Sequence, residues 1–462
     1  MRKLIIFLIV AVLIAGLVGC EKFVSGYEAD PLAPVDANSL TIFVGAELQY
    51  VMFAEGFPSF LASVWSQTIR GADRQFTSYQ TYTVTRDDFN NDWNTAYAGA
   101  LTNLRTVQTK AGAAGQLNLK GAAEILEGLH MGTVTAIWGD VPYSEAVQPP
   151  NYTPKFDGQM AVYADVLKVL DQGIADFNSA PTPLARDALN LGGSATRWVK
   201  LGYSAKARYL MHTARTAGYS STILNQIIAA AQLGILSVTG SEDAMATHGT
   251  IQAQNQNLWY SFMVQDRTGY MDAATTYVIP MLRAMKFDGK SNEAGRLAFY
   301  FNPAQNNLNT TATGAYAISA QYPIFRASET HLLMAEAYVR LGNTASALTE
   351  LNSARTYNNN VFKNTSTAFV ASDFPTAAAL QQAIFNETYL SLMHQIEAWN
   401  FLRRVDYAVA YKDSLGATKA ITLTKGTDWP QRFLYSTTEG TSNPNTPVEP
   451  VNGQFNRTPA NK

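Results

Sequence analysis

Met160, Tyr163, Val166, Leu167, Leu170, Ile174 and Phe177 recur at i, i+3, i+4 and i+7 spacing, which places one apolar stripe along a helix. Such a stripe must be buried against another element, and the pattern returns along most of the chain. Residues 119–138 read as a helix stopped by Gly139, with Pro142 beyond. Residues 195–217 read as another, closed by Gly218, and 221–233 as a third, ending at Gly234. Residues 41–69 and 91–110 read as helices more loosely, with Asp87 and Asp88 as N-cap or first-turn acids of the second. Residues 377–404 read as one long helix carrying Leu380, Ile384, Leu392, Ile396, Trp399 and Leu402. The expected fold class is mainly α.

From residue 323 the pattern sharpens. Leu332, Leu333, Ala335, Ala337, Tyr338 and Leu341 precede Gly342-Asn343, and Ala345, Ala347, Leu348, Leu351 and Ala354 follow. Two helices around a tight glycine turn, with small residues at the contact, resemble one tetratricopeptide unit, although no 34-residue period recurs. The expectation is a TPR-like scaffold of helical pairs. Between about 238 and 320 the helical period fails, and Gln252, Gln254, Asn255, Gln256, Asn257, Asn302, Asn306, Asn307 and Asn309 accumulate. Residues 413–462 are also turn-rich, with Pro430, Pro444, Pro447 and Pro450. Long irregular segments inside an ordered domain carry function or are disordered, which predicts a loop-rich ligand-binding face.

Charged residues are 15% of the 462, hydrophobic residues 47%, and the formal net charge is −2. That hydrophobicity excludes wholesale disorder, and a near-neutral chain has no basic field to condense nucleic acid. Seven Trp and 23 Tyr supply apolar faces that also carry a hydrogen-bonding group, which suits an uncharged polar ligand.

The amino terminus reads as a lipoprotein signal. Arg2 and Lys3 precede an uncharged run from Leu4 to Val18, too short for a spanning helix. The run ends Leu17-Val18-Gly19-Cys20, and Cys20 is the only cysteine. This resembles a bacterial lipobox, in which the thiol accepts a diacylglyceryl group and the new amine a fatty acyl chain such as palmitate. Several chains give stable anchoring where one gives only marginal binding. The expected organisation is a signal peptide at 1–19, a lipidated tether at 20–40 and one α-helical domain at 41–462. Lipidation at Cys20 leaves no thiol for a disulfide, a metal or catalysis.

Several stretches are similar to the SusD/RagB family, surface glycan-binding lipoproteins of Bacteroidetes. Trp138-Gly139-Asp140-Val141-Pro142-Tyr143-Ser144-Glu145-Ala146 resembles its GDVPYSEA motif, and Trp198 to Leu201 with Ser204 to Arg208 its tryptophan-to-arginine helix. Glu397 to Arg404 resembles its late helix ending in two arginines, and Arg432-Phe433-Leu434-Tyr435 its closing segment. Two positions depart: Gly192-Gly193-Ser194 stands for a common Gly-Asp pair, and Ser436 for proline. The resemblance implies a lipid-anchored, cell-surface protein of the outer membrane that binds oligosaccharide. It also implies a partner, a SusC-like TonB-dependent transporter, and no catalytic activity.

The residues themselves point the same way. His130, His212, His248, His331 and His394 form no metal motif, and His130, His212, His331 and His394 are expected as scaffold histidines. Asp88-Phe89-Asn90-Asn91-Asp92 resembles the start of a calcium loop, but Trp93 and Gly99 stand where glycine and an acid are needed, so a helix cap is expected. Glu124 and Glu127 are one turn apart, which a solvated helix face explains. No catalytic residue, metal or cofactor is expected. Two segments combine aromatic faces with amides, carboxylates and arginine: 65–82, giving Trp65, Arg74, Tyr79 and Tyr82, and 257–272, giving Trp259, Tyr260 and Tyr270. These seven are the expected glycan-binding residues. Trp138, Trp198 and Trp399 are expected to pack the scaffold, and Trp429 fits either class. The alternatives are a scaffold or adaptor lipoprotein, an uptake lid for another nutrient such as peptide, and, less favoured, a surface glycoside hydrolase.

Overall fold

A computed structural model describes residues 37–251 and 255–462. The signal peptide, Cys20, most of the tether, Gln252 and Gln254 lie outside the described residues. Eleven longer helices dominate: α1 Ser39–Glu55, α2 Phe57–Trp65, α3 Thr102–Ala113, α4 Leu117–Trp138, α5 Gln159–Ser179, α6 Ala195–Thr213, α7 Ser221–Ala231, α8 Ala327–Arg340, α9 Thr344–Phe362, α10 Ala377–Ser391 and α11 Ile396–Arg404. The fold is mainly α, with sequential helices stacked as neighbours: α3 on α4, α4 on α5, α5 on α6, α6 on α7, α7 on α8 and α8 on α9. Caps fix several starts. Asn38 accepts from the Thr41 amide, Asn343 from Ser346 and Thr376 from Ala379. Gly139 ends α4 at φ +92°, a conformation in which a side chain would be strained.

The stack is tight because small residues meet at its contacts. A Cβ at Gly121 would stand 2.7 Å from the Gly173 carbonyl oxygen, so α4 and α5 approach backbone to backbone. The α8–α9 pair carries its own small core of Leu332, Ala335, Val339, Ala347, Leu351 and Ala354, closed by Leu380 and Ile384 of α10.

Three expectations change. The region 377–404 is two helices. His394 sits at φ +61°, its Nδ1 paired with the Tyr316 hydroxyl and its Nε2 with the Thr68 carbonyl at 3.0 Å. These contacts hold a turn where the apolar period alone continues. His394 is therefore a buried scaffold histidine outside a helix. Glu124 and Glu127 are buried, not solvated, because α4 is covered by both α3 and α5. Lys120 reaches Glu124, while Arg105, Gln108 and the Tyr143 hydroxyl all donate to Glu127. The irregular region also holds helical turns, among them Val278–Ala284 and Ala294–Tyr300.

The arginines of the sequence motifs bind the scaffold together. Arg208 of α6 meets both carboxylate oxygens of Glu329 in α8, each at 2.6 Å. Arg404 of α11 does the same to Glu336 at 2.5 and 2.6 Å. His212 bridges the Tyr163 hydroxyl at 3.0 Å and Glu397 at 2.9 Å. The neighbouring His212 and Arg208 hold the Glu397 carboxyl down at about 2 against the effect of burial.

Three two-stranded pairs complete the fold: β1 Arg70–Gly71 with β3 Met271–Asp272, β2 Ala244–Ala246 with β4 Tyr322–Phe325, and β5 Ala410–Lys412 with β6 Thr418–Ala420. All three are antiparallel.

Candidate ligand-binding face

The short ladder β1–β3 decides where the candidate residues go. Arg70 pairs with Asp272 and Gly71 with Met271, so the segments 65–82 and 257–272, about 200 residues apart in sequence, become neighbours. The Arg70 Nε donates to Asp272 Oδ1 at 2.8 Å, and Nη2 pairs with Oδ2. This ion pair raises the Arg70 guanidinium above its ordinary range. The Tyr270 carbonyl accepts from both the Ala72 and Asp73 amides, at 2.8 and 3.2 Å. Gln80 Oε1 accepts from the Gly71 amide at 2.8 Å and closes the turn from below.

Four of the seven candidates turn inward. Trp65 is 0% exposed, packed edge-on against Trp399 and Phe433, with Nε1 donating to the Tyr79 carbonyl at 3.1 Å. Trp259 is also 0% exposed and packs against Phe60, Tyr316 and His394. Tyr82 is buried and its hydroxyl accepts from the Thr424 amide at 3.0 Å. Tyr79 is buried, and its hydroxyl donates to Asp88 at 2.6 Å. Rings in these positions offer no face to a sugar, so all four support the surface from beneath. The reason is tertiary: the loops fold back over the α2–α11 contact, and the largest apolar rings fill that space.

Arg74, Tyr260 and Tyr270 remain accessible. Arg74 has φ +47° and its side chain is 67% exposed. Its guanidinium carbon stands 5.6 Å from the Tyr270 ring centre, and that of exposed Arg267 stands 5.8 Å from the same ring. Tyr260 is half-buried. Three half-buried rings that the sequence did not single out, or left open, adjoin the same loops: Tyr277, Tyr411 and Trp429. The Tyr277 amide donates to the Gln67 carbonyl, and its ring lies 5.5 Å from Tyr411. Trp429 stacks on Tyr407 at 3.9 Å and lies 6.3 Å from Tyr82. Gln67 and Gln80 reach across to Thr422 and Thr424. The face thus mixes half-exposed aromatic rings with several amides and two exposed guanidinium groups, Arg74 beside Asp73 at 3.5 Å and Arg267 donating to the Asp266 carbonyl at 3.2 Å. It can stack on an apolar ring face and bond to hydroxyls at its rim.

The Asp88 segment is a cap. Asp88 Oδ2 accepts from the Thr85 amide at 2.7 Å and the Thr85 hydroxyl at 2.9 Å. Among the described residues, no group of three or more His, Cys, Asp or Glu side chains is placed to hold a metal ion. Asp92 is buried without an ion-pair partner among the described residues, and burial pushes its carboxyl up to about 8. In the unfolded chain the same group ionises near pH 4. Between about pH 4 and 8 the folded chain therefore keeps a proton that the unfolded chain loses, and stability falls as pH rises, by up to about 1.4 kcal/mol per unit. Asp92→Asn should stabilise the protein more at pH 7.5 than at pH 5 in urea unfolding. Equal gains at the two pH values would refute this.

A SusD-like family model, described as starch-binding and associating with the outer membrane, matches residues 42–436. Among solved structures, a SusD/RagB family protein from Bacteroides thetaiotaomicron is similar at 20% identity and TM-score 0.68, covering 92% of this chain and 99% of that one. A chitin-binding SusD homolog from Flavobacterium johnsoniae is similar at 15% identity and TM-score 0.69, covering 91% and 99%. A SusD homolog from Bacteroides uniformis gives 16% and 0.69, covering 92% and 100%. No curated protein matches the chain. No helix among the described residues is long and apolar enough to cross a membrane.

Proposed function

The chain belongs to the SusD-like, starch-binding family that associates with the outer membrane, and from that membership we propose that it grips an oligosaccharide at the cell surface without altering it. The observation that carries this reading is the β1–β3 ladder, which brings Tyr270 between Arg74 and Arg267 at the solvent edge. The Tyr270 ring is the stacking platform, and the two arginines hold ring hydroxyls. Tyr277, Tyr411 and Trp429 extend the surface for a longer chain. Trp65, Tyr79, Tyr82 and Trp259 fix the loops from the core side.

In the same reading, acyl chains on Cys20 anchor the protein in the outer membrane, facing outward, and the cargo passes to a SusC-like TonB-dependent transporter.

Full-length protein in detergent should be retained on insoluble starch or chitin and released by soluble oligosaccharide of the same linkage. Passage through both columns, and through a panel of other polysaccharides, would overturn the proposal. Release of reducing sugar by the pure protein would replace it with the hydrolase reading.

A further inference from the structure

A separate cleft of about 480 Å³ opens between the helical stretch 93–102, the loop 142–154 that follows α4, and the short helix Thr437–Ser442. Its walls come from Tyr97, Tyr152 and three prolines, and its polar groups include Asn94, Asn151 and Glu439. None of the residues proposed above for the Tyr270 face lines it.

Tyr97 is fixed in place, its ring 4.9 Å from Trp93 and its hydroxyl donating to the Pro142 carbonyl at 3.0 Å. Glu439 is fixed as well. One carboxylate oxygen accepts from Trp93 Nε1 at 3.1 Å and the other from Asn443 Nδ2 at 2.7 Å. Tyr152, by contrast, is 79% exposed. Asn94 is exposed too.

A large tyrosine left in solvent beside a rigid tyrosine, an accessible amide and an anchored carboxylate is a set of groups waiting for a ligand. Glu439 is the one charged residue in the lining, so an anion is repelled. A quaternary ammonium favours aromatic faces on several sides. Here Trp93 also lines the cleft, but it is buried and stacked on Phe156 at 6.1 Å, so the accessible aromatic faces are those of the two tyrosines. A neutral polyhydroxylated ring fits all the groups. Its apolar face meets tyrosine, its hydroxyls donate to Glu439, and Asn94 both donates and accepts.

We propose that this cleft is a second saccharide site, taking a neutral pyranose unit on Tyr152 and Tyr97 with Asn94 and Glu439 at its rim. It rests on the reading of saccharide as cargo but not on the Tyr270 face. Two sites on one protein would raise the hold on a polymer above that of either site alone, provided the chain can reach both.

Calorimetry with maltotriose and with chitotriose tests it. Wild-type full-length protein should show two binding events with one of these probes. Tyr152→Ala and Asn94→Ala, both at exposed positions that the fold tolerates, should each weaken one event at least tenfold. That event should persist in Tyr270→Ala, which removes the other. An isotherm unchanged in the Tyr152→Ala/Asn94→Ala double variant overturns the cleft proposal and leaves the Tyr270 face standing. Loss of all binding in the cleft variants, with Tyr270→Ala unaffected, keeps the cleft and overturns the face. Silence with both probes, or binding of choline in place of sugar, overturns the cleft as a saccharide site.

Discussion

Arg208→Met should destabilise the protein by about 3–5 kcal/mol, the cost of stranding one partner of a buried ion pair. Arg208 and Glu329 are both almost fully buried, and the pair is bidentate. The guanidinium also donates to the Ile324 carbonyl at 3.2 Å and lies 4.1 Å from the Phe325 ring centre. Methionine keeps much of the packing but leaves the Glu329 carboxylate without its cation. That carboxyl already stands above its usual range because burial outweighs the pull of Arg208. Without Arg208 it must take up a proton or break the α6–α8 contact. Equilibrium urea unfolding measures the loss. Arg208→Met/Glu329→Leu should recover most of it, since replacing both charges with apolar groups is often near neutral. A single variant within about 1 kcal/mol of wild type would mean that the network does not hold the stack.

Tyr270→Ala should weaken oligosaccharide binding by about 10- to 100-fold, the loss expected when a central aromatic anchor is truncated. Tyr270 is half-exposed and its backbone, not its ring, carries the ladder to Ala72 and Asp73, so the fold should stay intact. Arg74→Ala should cost less, because one exposed guanidinium supplies fewer bonds. Trp259→Ala makes the contrast. It should lower stability by about 3–5 kcal/mol, as a cavity in the core, with affinity of the folded fraction little changed. Calorimetry paired with thermal unfolding separates the two kinds of loss. Full affinity in Tyr270→Ala, or loss of affinity in a stably folded Trp259→Ala, would move the site elsewhere.

Much of the scaffold is legible in the sequence because its helices carry their own signals. The apolar stripe of α5 and the glycine stop after α4 are local, and so are the small residues between α8 and α9. The break at His394 is not. A buried histidine takes a positive φ there because Thr68 and Tyr316 come to meet it, and neither is nearby in sequence. Glu124 and Glu127 look solvated until α3 and α5 close over them. At the candidate face, composition found the two segments but could not sort their rings. Trp65 ends a stretch that reads as helical and Tyr270 follows a glycine in an irregular one, a difference that foreshadows their burial, but the packing of α2 on α11 is what encloses Trp65. The second cleft stayed hidden because its walls come from three distant stretches. The proline cluster after Gly139 was the one signal that could have marked it.

The two-residue ladder has a consequence for how such a protein changes over generations. Arg74, Arg267 and Tyr270 project from loops whose register is kept by main-chain bonds and by Arg70 with Asp272, and Tyr260 from the helical turn before them. Arg74 and Arg267 are exposed and the two tyrosines half-buried, Tyr270 with its ring 6.3 Å from Phe76 and Phe262, whereas Trp65 and Trp259 are fully enclosed. Mutation can therefore rewrite these four positions, and with them the ligand preference we propose for this face, while the helical stack is inherited unaltered.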